Sequence, residues 1–182
     1  DAQSVAIEYQ NMNIEQQHIL YAMMNQENGL IPQLLTKMGV DTESFSNSVS
    51  SSINNIPKVT GSGRKPGTVY VTQDVDRALQ KAEECAKRMS DEYISVEHLF
   101  MGLLEAPNSE VSKLFKTYSI TNDAFLKALS EVRGSQRVTT DSPEETYNAL
   151  KKYGQELVGL AKANKLDPVI GRDTEIRNVI RI

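Results

Sequence analysis

IEQQHILYAMM, residues 14–24, returns eighty positions later as ISVEHLFMGLL, residues 94–104. The two strings share Ile14/Ile94 and His18/His98, and apolar meets apolar at Ile19/Leu99, Leu20/Phe100, Met23/Leu103 and Met24/Leu104. Extended outward without a gap, the same shift lays residues 1–53 on residues 81–133, with identities at Ala2/Ala82, Ala6/Ala86, Asn28/Asn108, Leu34/Leu114, Phe45/Phe125 and Ser50/Ser130. Val5/Cys85, Tyr9/Met89, Ile31/Val111, Leu35/Phe115, Val40/Ile120 and Val49/Leu129 keep their apolar character. A register held this long marks an internal duplication.

Within each unit the apolar spacing is helical. Ala2, Val5, Ala6 and Tyr9 form one stripe, Ile19, Leu20, Met23 and Met24 the next, and Ile31, Leu34, Leu35 and Met38 a third. Gly39 suits a helix C-terminus, and Asp41 or Thr42 can start a fourth helix through Phe45, Val49 and Ile53. The second unit predicts helices over 82–89, 96–105, 109–118 and 121–132. Four helices bury too little alone, so the expected fold is all-α, two four-helix units packed about a pseudo-twofold axis. Leu34 and Leu114 are expected to be buried alike.

The expected organisation is a repeat domain over 1–134, made of unit one 1–53, a loop 54–72 and unit two 73–134. Pro57, Gly61, Gly63, Pro66 and Gly67 disfavour helix in that loop, and its Thr68-Val69-Tyr70-Val71 stretch is assigned no sheet. A polar linker and a connecting helix follow over 135–164, with Ser142 as N-cap and Pro143 at the first helical position. The chain opens on Asp1 inside a helical pattern, so further residues are expected upstream.

A net charge of -4, with Lys and Arg scattered among acids, leaves no basic stripe and argues against nucleic acid. One cysteine and no signal-like segment point to a reducing, cytoplasmic setting, and no apolar run approaches the ~20 residues of a membrane span. His18 and His98 lack Cys or His neighbours at ligand spacing, so a paired structural role fits better than a metal site or catalysis. Cys85 reads as a small buried hydrophobe and most methionines as core. The run Ser44, Ser46, Ser48, Ser50, Ser51 and Ser52, set among apolar positions, reads as a solvated helix face. Ser95 can cap a helix whose first turn carries Glu97, a favourable place for an acid.

The most specific motif is Lys165-Leu166-Asp167-Pro168-Val169-Ile170-Gly171-Arg172-Asp173, followed by Glu175 and Ile176. It resembles the opening of the first AAA+ module of Clp-type unfoldases, and the duplicated unit resembles the Clp N-terminal domain. Ile56-Pro57-Lys58-Val59, Arg133-Gly134-Ser135-Gln136-Arg137-Val138-Thr139 and Ala149-Leu150-Lys151-Lys152-Tyr153-Gly154 place the resemblance among ClpB-type disaggregases. It implies a domain that recognises exposed apolar segments of unfolded or aggregated proteins and hands them to the AAA+ modules of its own chain. The alternative is an adaptor-docking N-domain of a Clp protease unfoldase.

Substrate-binding residues implied by the resemblance are Leu79, Asp91 and Glu97, in an apolar groove with carboxylates. Where related domains carry a glutamate in both repeats for phosphoarginine, the first unit here has Gln17. Val169, Ile170, Gly171 and Arg172 are implied adenine contacts in a full-length protein that uses ATP and Mg, forms a homohexamer and works with a DnaK-type chaperone. No GxxxxGK[ST] phosphate loop occurs in the 182 residues, so no ATPase activity is expected of this chain and no catalytic or metal-binding residue is assigned.

Overall fold

The computed structural model describes residues 1–59, 69–133 and 138. All fall in one unit, Asp1–Tyr147. The first repeat supplies α1 (Ala2–Glu8), α2 (Gln16–Met24), α3 (Leu30–Lys37) and α4 (Thr42–Asn54), and the second supplies α5 (Gln73–Arg88), α6 (Val96–Glu105), α7 (Ser109–Thr117) and α8 (Asn122–Arg133). Seven of these match the periodicity within three residues. The exception is α5, which starts nine residues ahead of the expected Ala82, because Asp74, Asp76 and Arg77 obscure the apolar stripe Val75, Ala78, Ala82 and Cys85.

The duplication survives in backbone detail. Helices α1 and α5 end alike, with left-handed Gln10 (φ 62) and Ser90 (φ 58). The next amides, of Asn11 and Asp91, bond the carbonyls of Ala6 at 2.8 Å and Ala86 at 3.0 Å. Helices α3 and α7 repeat this turn at Gly39 (φ 81) and Ser119 (φ 54). This is the Schellman arrangement, and only Gly39 adopts its φ without a Cβ penalty.

The units interlock reciprocally: α3 packs on α6 and α8 of the second, while α7 packs on α2 and α4 of the first. Such exchange is the signature of a twofold relation. Phe45, Phe100, Phe115 and Phe125 run through the shared core, with Phe100 and Phe125 centroids 4.6 Å apart and Phe45 and Phe115 6.5 Å apart. Leu34 is fully buried there, but Leu114 is only half-buried, so the expected equivalence of the two leucines fails. The neighbouring pair Leu35 and Phe115 carries it instead, both being buried.

Gln16 crosses the seam, its Nε2 donating to the carbonyls of Asp74 (2.7 Å) and Ala106 (2.8 Å) and its Oε1 accepting from the Asn108 amide (2.7 Å). The serine face of α4 is also more than solvated, since Ser44 and Ser48 hydroxyls lie 2.9 and 2.7 Å from the Tyr118 hydroxyl. Within the second unit, a Cβ on Gly102 would come 2.2 Å from the Ala78 carbonyl, so only glycine permits the close crossing of α5 and α6.

One short sheet was not expected. Strand β1 (Asn13–Ile14) pairs in parallel with β2 (Tyr70–Val71), in the register Asn13 to Tyr70 and Ile14 to Val71. Two-residue strands are too short for alternation to reveal.

Candidate functional site

His18 and His98 occupy the third position of α2 and α6, each completing a capping box with the residue that starts its helix. The Glu15 amide donates to His18 Nδ1 at 2.9 Å, and the Ser95 amide donates to His98 Nδ1 at 3.0 Å. An Nδ1 that accepts leaves the proton on Nε2. That N–H donates to Asn11 Oδ1 (2.9 Å) in the first unit and to Asp91 Oδ2 (3.0 Å) in the second. Both rings are fully buried. Burial draws the pKa of each below the usual histidine range, outweighing for His98 the upward push of the Glu97 and Asp91 carboxylates.

Asn11 and Asp91 therefore sit at one structural position with opposite tasks. Asn11 Nδ2 donates to the carbonyls of Ile56 (3.5 Å) and Pro57 (3.3 Å), holding the chain as it leaves α4. Asp91 Oδ1 accepts from the Val138 amide (2.8 Å) and from the Arg133 guanidinium, holding the chain as it leaves α8. The Glu92 amide adds a 3.0 Å bond to the Val138 carbonyl. Burial pushes the Asp91 pKa up, but Arg133, the Val138 amide and His98 together carry it below the usual aspartate value.

These positions bear on the residues expected to touch substrate. Leu79, on α5, is 42% exposed and available. Asp91 and Glu97 are enclosed: the Asp91 oxygens are committed to His98, Arg133 and Val138, and Glu97, in the first turn of α6, has no exposed surface. Neither carboxylate is exposed in this structure. Gln17, the counterpart of Glu97, is buried too, its Oε1 accepting from Asn108 Nδ2 at 3.0 Å across the seam.

Sequence reasoning passed over the exposed apolar side chains beside Asp91, Tyr93 (47%) and Ile94 (49%), and those at the β pair, Met12, Tyr70 and Val71. A cleft of 440 Å³, lined by Asn13, Glu15, Val71, Thr72, Gln73 and Asp74, lies by the β pair. Burial raises the Glu15 pKa there. Cys85 is buried as expected, with its thiol pKa raised by desolvation, so it is a poor nucleophile. Among the described residues no cluster of three or more His, Cys, Asp or Glu could hold a metal, and no helix is long and apolar enough to cross a membrane. Val169, Ile170, Gly171, Arg172, the 135–164 linker and the 165–182 segment lie outside the described residues.

A duplicated, pseudo-twofold all-α domain with a pinned exit defines a narrow class. The Clp repeat N-terminal domain family matches residues 1–118, and the chain belongs to that family. It is 43% identical to the chaperone protein ClpB of Nitratidesulfovibrio vulgaris and 44% identical to that of Clostridium perfringens, in each case over all of this chain and 21% of the relative. The chain thus spans about a fifth of the length of these curated relatives. Among solved structures it is similar to the Hsp104 N-terminal domain from Candida albicans, with a TM-score of 0.64 and 22% identity over 75% of this chain and 87% of the other. That likeness concerns the fold.

Proposed function

We propose that this chain is the client-recognition region of an ATP-driven protein disaggregase, binding exposed apolar segments of misfolded proteins for a threading motor further along the same polypeptide. The observation that carries the reading is the similarity to ClpB chaperones along the entire chain, beyond the 118 residues of the repeat domain. In this reading ATP, Mg, the homohexamer and the DnaK-type partner belong to the full-length protein. Leu79 is a direct contact. Asp91 and Glu97 act from beneath the surface, Asp91 by fixing the loop that carries Tyr93 and Ile94.

Weak, adaptable contact suits such a domain, because a tightly held client would resist the pull of the motor. The second reading, docking of a folded adaptor, predicts a different partner for the same chain. A pull-down with a chemically denatured model protein and with a folded adaptor separates the two. Capture of the denatured protein alone is expected; capture of the folded adaptor alone would replace this reading with the second.

A further inference from the structure

The exits of the two units are held to different depths. In the first, the Val59 amide donates to the Gln10 carbonyl at 3.0 Å, with Pro57 and Lys58 exposed and Ile56 and Val59 half-buried. In the second, Val138 is fully buried. Its amide donates to Asp91 Oδ1 at 2.8 Å and its carbonyl accepts from the Glu92 amide at 3.0 Å, so two consecutive residues latch one. Those two residues begin the loop 91–95 that carries Tyr93 and Ile94. The second unit itself fixes the ends of this loop: the Asp91 amide bonds the Ala86 carbonyl at 3.0 Å, and Ser95 forms the capping box of α6 with His98. Between those ends the Glu92 amide is tied to Val138. Arg133, buried in the last turn of α8, shares the Asp91 carboxylate, so unseating Val138 disturbs a charge-assisted cluster and not one bond alone.

Resting on the client reading above, we propose that Val138 is a strap whose seating controls the client loop. Seated, it holds residues 91–95 in the shape that presents Tyr93 and Ile94; unseated, it loosens them and lowers client affinity. Strap and client act on one element, because the loop that carries the apolar pair also supplies both grips on Val138. Linkage makes the effect reciprocal: bound client stabilises the seat by the factor by which unseating weakens the client. In the sequence, residues 139–164 separate Val138 from the 165–173 motif. A pull on the chain from that side meets Val138 before it meets α8. A motor drawing on the chain thereby loosens the client it is to receive, with no separate release site.

The probe is fluorescein-labelled, reduced and carboxymethylated α-lactalbumin, its affinity for this chain read by anisotropy, with amide hydrogen exchange followed by NMR. Val138→Asp buries a second carboxylate beside Asp91 and keeps both backbone groups. It should speed exchange at the Glu92 amide at least tenfold, leave the core amides of Leu103 and Leu129 unchanged, and weaken client binding at least fivefold. Val138→Ala, which shortens the buried side chain without adding charge, should act in the same direction and is read alone if the first variant quickens core exchange. In the unsubstituted chain, saturating client should slow exchange at the Glu92 and Val138 amides by up to the factor lost in affinity. Glu92 exchange unchanged in both variants would overturn the strap. Faster Glu92 exchange with the client bound equally by all three chains defeats the coupling alone, whereas a client bound by none of them defeats the client reading and this inference with it.

Discussion

At one position of a twice-used backbone, the first unit places Asn11 and the second Asp91, each receiving the Nε2–H of a buried histidine. The turn before them and the capping box after them are the same; what differs is the chain being held. The amide Nδ2 of Asn11 meets carbonyls of the segment leaving α4, whereas the carboxylate of Asp91 meets the Val138 amide and the Arg133 guanidinium. The duplication thus kept its geometry and let one polar atom change sense to suit each exit. The charge in the second unit is matched by a buried cation, as an enclosed carboxylate requires.

The sharpest way to break this comparison is Asp91→Ala, which strands Arg133 and His98 in the interior and should cost about 3–5 kcal/mol in a denaturant melt. Asp91→Asn keeps an acceptor for His98 but sets its NH2 donor against the Arg133 guanidinium and the Val138 amide, losing both bonds. It should therefore speed hydrogen exchange at Val138 more than at core amides, and equal exchange changes throughout would make the latch a general stabiliser only. In the core, Leu34→Ala should cost about 2–5 kcal/mol. Leu114→Ala should cost less than half of that change, because its side chain is only half-buried. Similar losses for both would restore the equivalence that burial denies.

Ser119→Gly sharpens the comparison of turns. It relieves a left-handed residue where the first unit already has Gly39, and should raise stability by roughly 1 kcal/mol or less. Acid should also act on both units. His18 and His98 have folded pKa values below their unfolded ones, so their contribution is full above about pH 6.5 and is lost as pH falls below it toward the folded values. A melting temperature that stays flat from pH 7 to pH 5 would mean that the rings titrate in the folded chain as they do in the unfolded one. The smallest effect belongs to the exposed pair Lys37–Glu131, which links α3 to α8 at 2.9 Å. Lys37→Met should leave the melt unchanged at physiological salt.

Much of the fold could be read from periodicity, because Leu20, Met23, Phe100 and Leu103 repeat their spacing in both units and all are buried. The paired structural role of the histidines was visible for the same reason. The latch was not, since Asp91 meets Val138 47 residues away and no local pattern records such a bond. The burial of Glu97 was hidden for a different cause: charged side chains are almost always solvated, and an enclosed one leaves no mark in composition. The exposed pair Tyr93 and Ile94 lies between helices, where two adjacent apolar residues give no periodic signal.

Gln16 has a consequence for ancestry. Its counterpart in the second unit is Val96, and its partners Asp74, Ala106 and Asn108 all lie beyond the first repeat. A chain built from two copies of the first repeat would set Gln16 against Asn28, whose φ of 55 leaves it outside the helix-capping geometry that Asn108 uses. The halves have drifted into lock and key. Neither half can stand in for the other, and a gene that once doubled now encodes a single unit of inheritance.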